Sequence, residues 1–273
     1  MKIALIDNGS LEPAAHACLR AAAAEIGART GTRVDAVSWR HSGRIAAGAL
    51  GGGPAWTLAP WIRAQVEAGE REFLLVPFFI SPQGAIGSSL RQDLDRLRGT
   101  AGTFDYAFAD GLPADSVLTA IVAERIRESA SRLGLRKPPV VVVDLGGPSP
   151  ASAGVRNRVA ERVRAGLGGA IGPLLAASME TPDGPDFAFN RPLLLEALAR
   201  PGFDSGDVVV APLFLSPGRH AGPGGDLARI TREAEARAPR LRCHFTELVG
   251  SHPLALETLA GALSRALRVG ALP

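Results

Sequence analysis

The chain has 273 residues, 46% hydrophobic and 21% charged, enough for one large domain or two small ones with a well-buried core. Its 30 basic and 27 acidic residues leave a net charge of +3 without any basic run interleaved with aromatics, which argues against a nucleic-acid partner. Two distant cysteines, Cys18 and Cys243, argue against a disulfide framework or a thiolate zinc site. No apolar run approaches the roughly 20 residues of a membrane span, and Met1–Asp7 lacks a signal-peptide pattern, so a cytoplasmic protein without a membrane partner is expected.

The first apolar run, Ile3–Ile6, ends in Asp7-Asn8-Gly9-Ser10 and predicts a buried strand followed by a tight turn. Pro13–Ile26 is rich in Ala and Leu and predicts a helix closed by Gly27. Strands are predicted over Val34–Trp39 and Glu72–Ile80, the second with the continuous apolar run of a parallel strand covered on both faces. A loop with Pro82, Gly84 and Gly87 follows. Ser89-Leu90-Arg91-Gln92 then has capping-box spacing, and Leu90, Leu94 and Leu97 recur at helical intervals. Tyr106–Ala109 reads as a fourth strand and the stretch from about Asp115 to Leu133 as a helix.

Arg136-Lys137-Pro138-Pro139 is a natural linker, and beyond it the pattern restarts. Val140–Val143 leads into Asp144 as Ile3–Ile6 leads into Asp7. A helix is predicted over Gly154–Leu167, and strands over Ile171–Met179, Val208–Leu215 and Cys243–Leu248. Asp7 and Asp144, Pro77 and Pro212, and Pro113 and Pro253 each stand roughly 137 residues apart, the mark of an internal repeat. The fold expected is α/β, with two pseudo-symmetric halves, 1–135 and 138–273. Each half holds a roughly four-stranded parallel sheet flanked by helices.

Ligands of such sheets bind beyond the carboxyl ends of the strands. The residues there are Asp7, Asn8 and Ser10 with Asp144 and Leu145, then Arg40 and His41 with Glu180, then Gln83 and Ala85 with Arg219 and His220. His220 leads the candidates. Its glycine-rich loop, Ser216 to Asp226, gives an imidazole room beside a ligand. Glu180 suits either a proton acceptor and metal ligand or a solvent-facing helix initiator. His41 between Arg40 and Arg44 reads as a solvated turn, His252 as a helix-start residue, and His16 and His244 as structural. Gly9-Ser10 and Gly146-Gly147 precede helix N-termini whose N–H groups can hold an anion. No Walker loop or GxGxxG is present, so no nucleotide is expected.

Taken together, several segments resemble the class II tetrapyrrole metal chelatases, the sirohydrochlorin cobalto- and ferrochelatases above all. They are Val143-Asp144-Leu145-Gly146-Gly147-Pro148, Val155-Arg156-Asn157-Arg158, Ser178-Met179-Glu180, Pro212 to His220, and Glu247 to Pro253. The resemblance implies ATP-independent insertion of a divalent metal substrate, Co2+ or Fe2+, into a sirohydrochlorin-type tetrapyrrole. It makes His220 and Glu180 the catalytic, metal-handling pair. Asn8, Ser10, Asp144 and Arg219 are the candidates for holding the macrocycle. Where the family has a histidine after its first strand, this chain has Leu145 in one half and Asn8 in the other, and Ala85 stands opposite His220. Leucine neither binds metal nor takes a proton. Three readings follow. One is a chelatase in which Asp7 or Asp144 substitutes as acid/base. The second is a lapsed chelatase that binds or senses a tetrapyrrole or metal. The third is an unrelated α/β enzyme sharing only the architecture. The duplication lets one chain supply both walls of a cleft, so a monomer or a homodimer is expected.

Overall fold

The computed structural model describes residues 1–80 and 89–270, so the loop bearing Pro82, Gln83, Gly84, Ala85 and Gly87 lies outside the described residues. Four strands, β1 (Lys2–Asp7), β2 (Asp35–Ser38), β3 (Glu72–Pro77) and β4 (Asp105–Phe108), form a parallel sheet ordered β2-β1-β3-β4. Four more, β5 (Val140–Asp144), β6 (Leu174–Ser178), β7 (Gly206–Pro212) and β8 (Leu241–Phe245), repeat that order as β6-β5-β7-β8. The two sheets thus share one strand order. The central strands β1 and β5 are paired at both edges, and their apolar runs are buried on both faces, as in a parallel sheet covered on each side.

The helices are α1 (Pro13–Thr30), α2 (Leu58–Glu67), α3 (Leu90–Ala101), α4 (Thr119–Arg132), α5 (Pro150–Leu167), α6 (Leu194–Leu198), α7 (Asp226–Arg237) and α8 (Pro253–Val269). Among the described residues no helix is long and apolar enough to cross a membrane. By its contacts the chain divides into two compact units. Unit 1 comprises Met1–Leu112, Leu215–Arg219 and the segment from Gly250 onward; unit 2 comprises Pro113–Phe214 and His220–Val249. Each unit includes a helix from the other of the expected sequence halves, 1–135 and 138–273. In unit 1, α8 from the second half packs on α1 and β3; in unit 2, α4 from the first half packs on α5 and β7.

In unit 1, Ala4, Ile6, Leu75 and Val37 pack with Trp61 and Ile62 of α2 and Leu90 and Leu94 of α3. In unit 2, Val141, Val143 and Val210 pack with Leu194 and Leu198 of α6 and Leu227 of α7. Alternation along a strand turns Leu5, and likewise Val142, to the opposite face, where both are fully buried.

Several boundaries differ from the sequence expectation. Helix α1 runs past Gly27 to Thr30 and is closed by Gly31 in the left-handed region, at φ 64°. Gly27 lies inside the helix and has to be small: a Cβ there would lie 2.8 Å from the Thr32 carbonyl oxygen. Strand β3 stops at Pro77, although the Phe78 N–H still donates to the Ile6 carbonyl at 2.8 Å. Ser89 does not cap α3, since its own backbone is helical. A π-helical turn over Ala114–Leu118 precedes α4. Helix α2 was not anticipated, because its buried residues Leu58, Trp61, Ile62 and Val66 form only one short stripe.

Candidate functional site

The turn after β5 is pinned to the end of β6 by two backbone hydrogen bonds. The Met179 N–H donates to the Asp144 carbonyl at 2.8 Å, and the Glu180 N–H to the Leu145 carbonyl at 3.0 Å. The chain then reverses at Gly146, whose φ is 102°, directly over Glu180. A Cβ on Gly146 would stand 2.0 Å from the Glu180 carbonyl oxygen, so only glycine fits. Gly147 is clamped both ways by the buried Asn190, which accepts from its N–H and donates to its carbonyl, each at 3.0 Å. Held so, Leu145 and Glu180 project at the strand ends. Leu145 is 37% exposed, and the exposed Glu180 carboxylate has no hydrogen-bond partner among the described residues.

Asp144 sits just inside this tip and is occupied by the fold. Its Oδ1 accepts from the Ser178 hydroxyl at 2.7 Å and from Arg156 Nη1 at 3.3 Å. Arg156 is 1% exposed, and it also donates to Ser178 Oγ, to the Phe189 carbonyl at 3.0 Å and to Asn157 Oδ1 at 3.1 and 3.0 Å. A buried guanidinium with its donors spent in this way is a structural ion.

His220 stands between β7 and α7, also within unit 2. Its Nδ1 is 2.8 Å from Oδ2 of Asp226, the first residue of α7. The Asp226 carboxylate is braced by Arg229 at 3.5 Å, and the imidazole lies 6.3 Å, centre to centre, from the Phe214 ring. A carboxylate accepting from Nδ1–H fixes the tautomer that leaves Nε2 with a free lone pair, suited to a metal ion or a proton. Nε2 has no hydrogen-bond partner among the described residues, and no hydrogen bond or ion pair joins His220 to Glu180.

Unit 1 repeats the backbone with other side chains. The Trp39 N–H donates to the Asp7 carbonyl at 2.7 Å, and the Arg40 N–H to the Asn8 carbonyl at 3.2 Å. Gly9, at φ 86°, would place a Cβ 1.8 Å from the Arg40 carbonyl oxygen. Asn8 is exposed at the tip. Ser10 is engaged in the turn: its N–H donates to Ser42 Oγ at 3.2 Å, and its hydroxyl accepts from the Glu12 N–H at 3.1 Å. Asp7 is 9% exposed, and among the described residues its Oδ1 has no hydrogen-bond partner. Burial pushes its carboxyl up to about 6, against smaller opposing effects of hydrogen bonds from Ser38 and the Gly9 backbone. His16 takes the place of a buried cation beside Ser38, with Nδ1 3.4 Å from the Ser38 hydroxyl. Burial, helped by the Arg20 charge, pushes its imidazole down to about 4, so it is neutral.

The remaining candidates divide clearly. Arg219 and His41 are exposed, and His41 adopts φ 67°. His252 starts α8, its Nδ1 accepting from the Leu254 N–H at 3.2 Å. His244 lies on β8, 2.7 Å from Asp207. Both cysteines are free; burial raises the Cys18 thiol and pushes the Cys243 thiol up to about 12, so both rest as neutral thiols.

Comparison with known proteins adds to this geometry. The CbiX family model matches residues 185–266. The crystal structure of the sirohydrochlorin chelatase SirB from Bacillus subtilis subspecies spizizenii, in complex with cobalt, superposes with a TM-score of 0.68 at 14% identity, covering 100% of this chain and 99% of that one. The fold is that of the class II tetrapyrrole chelatases. SirB from Bacillus subtilis with Fe3+ gives a TM-score of 0.66 at 15% identity, over 99% of this chain and 98% of that one. CbiX, the terminal enzyme for biosynthesis of siroheme in denitrifying bacteria, gives 0.64 at 17% identity, over 97% of this chain and 99% of that one. No curated protein matches the sequence. The resemblance read from the motifs therefore rests both on the family pattern in the second half and on a fold shared along the chain.

Sequence reading missed two residues that organise the site. Asp226 was visible only as the acid that follows Gly225 at a helix start, six positions after His220. Arg156 lay in a motif, but nothing in the local sequence marks an arginine for the interior.

Proposed function

We propose that this chain is an ATP-independent tetrapyrrole chelatase that places a divalent metal, cobalt or iron, into a sirohydrochlorin-type macrocycle. The observation that carries the reading is the His220–Asp226 pair, which presents Nε2 at the carboxyl end of a strand in a chelatase fold. Metal insertion needs a ligand that strips water from the ion and a base for the two pyrrole protons. Nε2 of His220 supplies a ligand or base, and the unpartnered Glu180 carboxylate supplies the second group. Asp226 acts through His220, as a positioning residue. Asn8, Ser10, Asp144 and Arg219 are assigned to the macrocycle. Asp144 does this indirectly, by anchoring the turn that carries Leu145.

The test is an anaerobic visible-absorbance titration with sirohydrochlorin, before and after Co2+ is added. Insertion faster than the protein-free control, abolished in His220→Ala and slowed about 10- to 100-fold in Asp226→Asn, is the expected result. Asp226→Asn is also expected to change the His220 tautomer population seen by NMR, which a mere helix-capping role would leave alone. One observation favours a second reading. Leu145, exposed where the family has a histidine, offers an apolar surface to a flat ring and no chemistry, which suits a carrier or sensor. A spectral shift without acceleration would establish that reading instead.

A further inference from the structure

Within unit 1, the end of β2 opens onto a cavity of about 340 Å3 that the chelatase reading leaves unused. Its wall is apolar, from Trp39, Leu58, Ala59 and Leu97, and its rim is charged, from Arg40, Asp93 and Arg96. The rim is built rather than loose. The Arg40 guanidinium lies 4.0 Å over the Trp39 ring and donates to Asp93 Oδ2 at 3.0 Å. Trp39 Nε1 donates to the same oxygen at 2.9 Å, and Arg96 is paired with Oδ1 at 2.8 Å. Burial pushes the Asp93 carboxyl up, but the hydrogen bonds from Arg40 and Trp39 and the Arg96 and Arg40 charges outweigh it and hold Asp93 below the usual carboxylate range. Two cations therefore share one permanent anion, and one positive charge is left over beside an apolar wall.

An arginine carries five N–H donors in a flat fork that matches a carboxylate, and Arg40 spends one of them on Asp93. Stacked on Trp39, it is held in place before any ligand arrives, so little rotamer freedom is lost on binding. The position is also telling. Arg40 occupies in unit 1 the place that Glu180 occupies in unit 2, each with its carbonyl packed under the turn glycine. One edge thus presents a carboxylate and the other a cation.

We propose that this pocket binds the carboxylate of a flat, ring-bearing anion, with the acid group on Arg40 and Arg96 and the ring against Leu58, Ala59 and Leu97. A single surplus charge suits a carboxylate better than a doubly charged phosphate. The acid group has two possible sources, an arm of a polycarboxylate macrocycle or a separate small aromatic acid.

The experiment titrates the full chain with an octacarboxylate porphyrin and, separately, with isophthalate, followed by absorbance and by tryptophan fluorescence. The variants are Arg40→Gln/Arg96→Gln, which removes the fork, and Ala59→Phe, which fills the cavity. Weakening of porphyrin binding by about tenfold or more in both variants, with isophthalate unbound, supports the pocket and assigns the macrocycle arm. Isophthalate binding that both variants weaken, with porphyrin binding unchanged, supports the pocket and assigns a small acid. Wild-type affinities in both variants for every ligand bound overturn the proposal, as does the absence of binding of either ligand to the wild type. His220→Ala serves as the control for the chelatase reading. It abolishes insertion while leaving these affinities alone, so either idea can fail without the other.

Discussion

In unit 1 the turn after β1 sets Asp7, Asn8 and Gly9 against Ser38, Trp39 and Arg40. In unit 2 the turn after β5 sets Asp144, Leu145 and Gly146 against Ser178, Met179 and Glu180. The hydrogen bonds correspond one for one, and each turn glycine crosses over the carbonyl of the residue two past its neighbouring strand. The side chains do not correspond. Asp144 is held by a buried arginine, whereas Asp7 has a neutral histidine nearby and an unpartnered oxygen. The two turns share the backbone device that presents residues at a sheet edge and differ in the chemistry presented.

The largest effect is expected where the two turns agree. Gly146→Ala and Gly9→Ala each force a Cβ to within about 2 Å of a backbone oxygen at a positive φ, and the backbone must move. Each is expected to cost more than about 3 kcal/mol in urea denaturation. A turn that tolerates alanine is not rigid, and the equivalence of the two edges would fail there.

This backbone was largely legible in the sequence. The repeated Asp-x-Gly after an apolar run, the paired Pro77 and Pro212, and continuous valine and leucine strands give parallel sheets and the turn positions. The exchange of α4 and α8 between the units was not legible, because an amphipathic helix records that it has a buried face and not which sheet it covers. Nor was the fate of the charged residues. Arg156, in a predicted helix, and Arg40, just past a predicted strand, look equally like surface arginines in the sequence, yet one is 1% exposed and spent on the fold while the other rims a cavity. Burial of a guanidinium depends on Ser178 and the Phe189 carbonyl, more than 20 residues away, and local pattern carries no trace of them.

The next contrast breaks the symmetry directly. Arg156→Met strands Asp144 and the Phe189 carbonyl and is expected to cost about 3 kcal/mol. His16→Leu removes a neutral ring whose Nε2 has no hydrogen-bond partner among the described residues. It is expected to change stability by less than about 1 kcal/mol near neutral pH. Equal losses would mean that His16 is an ion-network member after all.

Unit 1 also carries two opposed titrations. Asp7 binds its proton more tightly folded than unfolded, so its contribution is full below about 3.8 and is lost as pH rises through about 6. His16 binds its proton less tightly when folded, so stability is lost as pH falls from about 6.5 toward 4. Over this shared window the two slopes cancel in the wild type. In His16→Leu stability is expected to fall by roughly 1–3 kcal/mol as pH rises from 4 to 6; in Asp7→Asn it is expected to rise by a similar amount. Denaturation curves at four or five pH values would read both slopes, and parallel profiles in the two variants would remove the argument.

The smallest effect probes what unit 2 has lost. Leu145 shares the strand-end tip with Glu180, its carbonyl accepting the Glu180 N–H at 3.0 Å, and its side chain already reaches solvent. Leu145→His places an imidazole on this fixed backbone, beside an unpartnered carboxylate, without touching Gly146 or the Arg156 network. Stability is expected to stay within about 0.5 kcal/mol, as for a surface change. Co2+ affinity is expected to rise about tenfold, because a second nitrogen ligand joins the edge. The increase should vanish in Leu145→His/Glu180→Gln. A gain that survives loss of the carboxylate would mean that the histidine binds metal alone, and that Glu180 is a solvent-facing residue on an edge whose chemistry rests with His220.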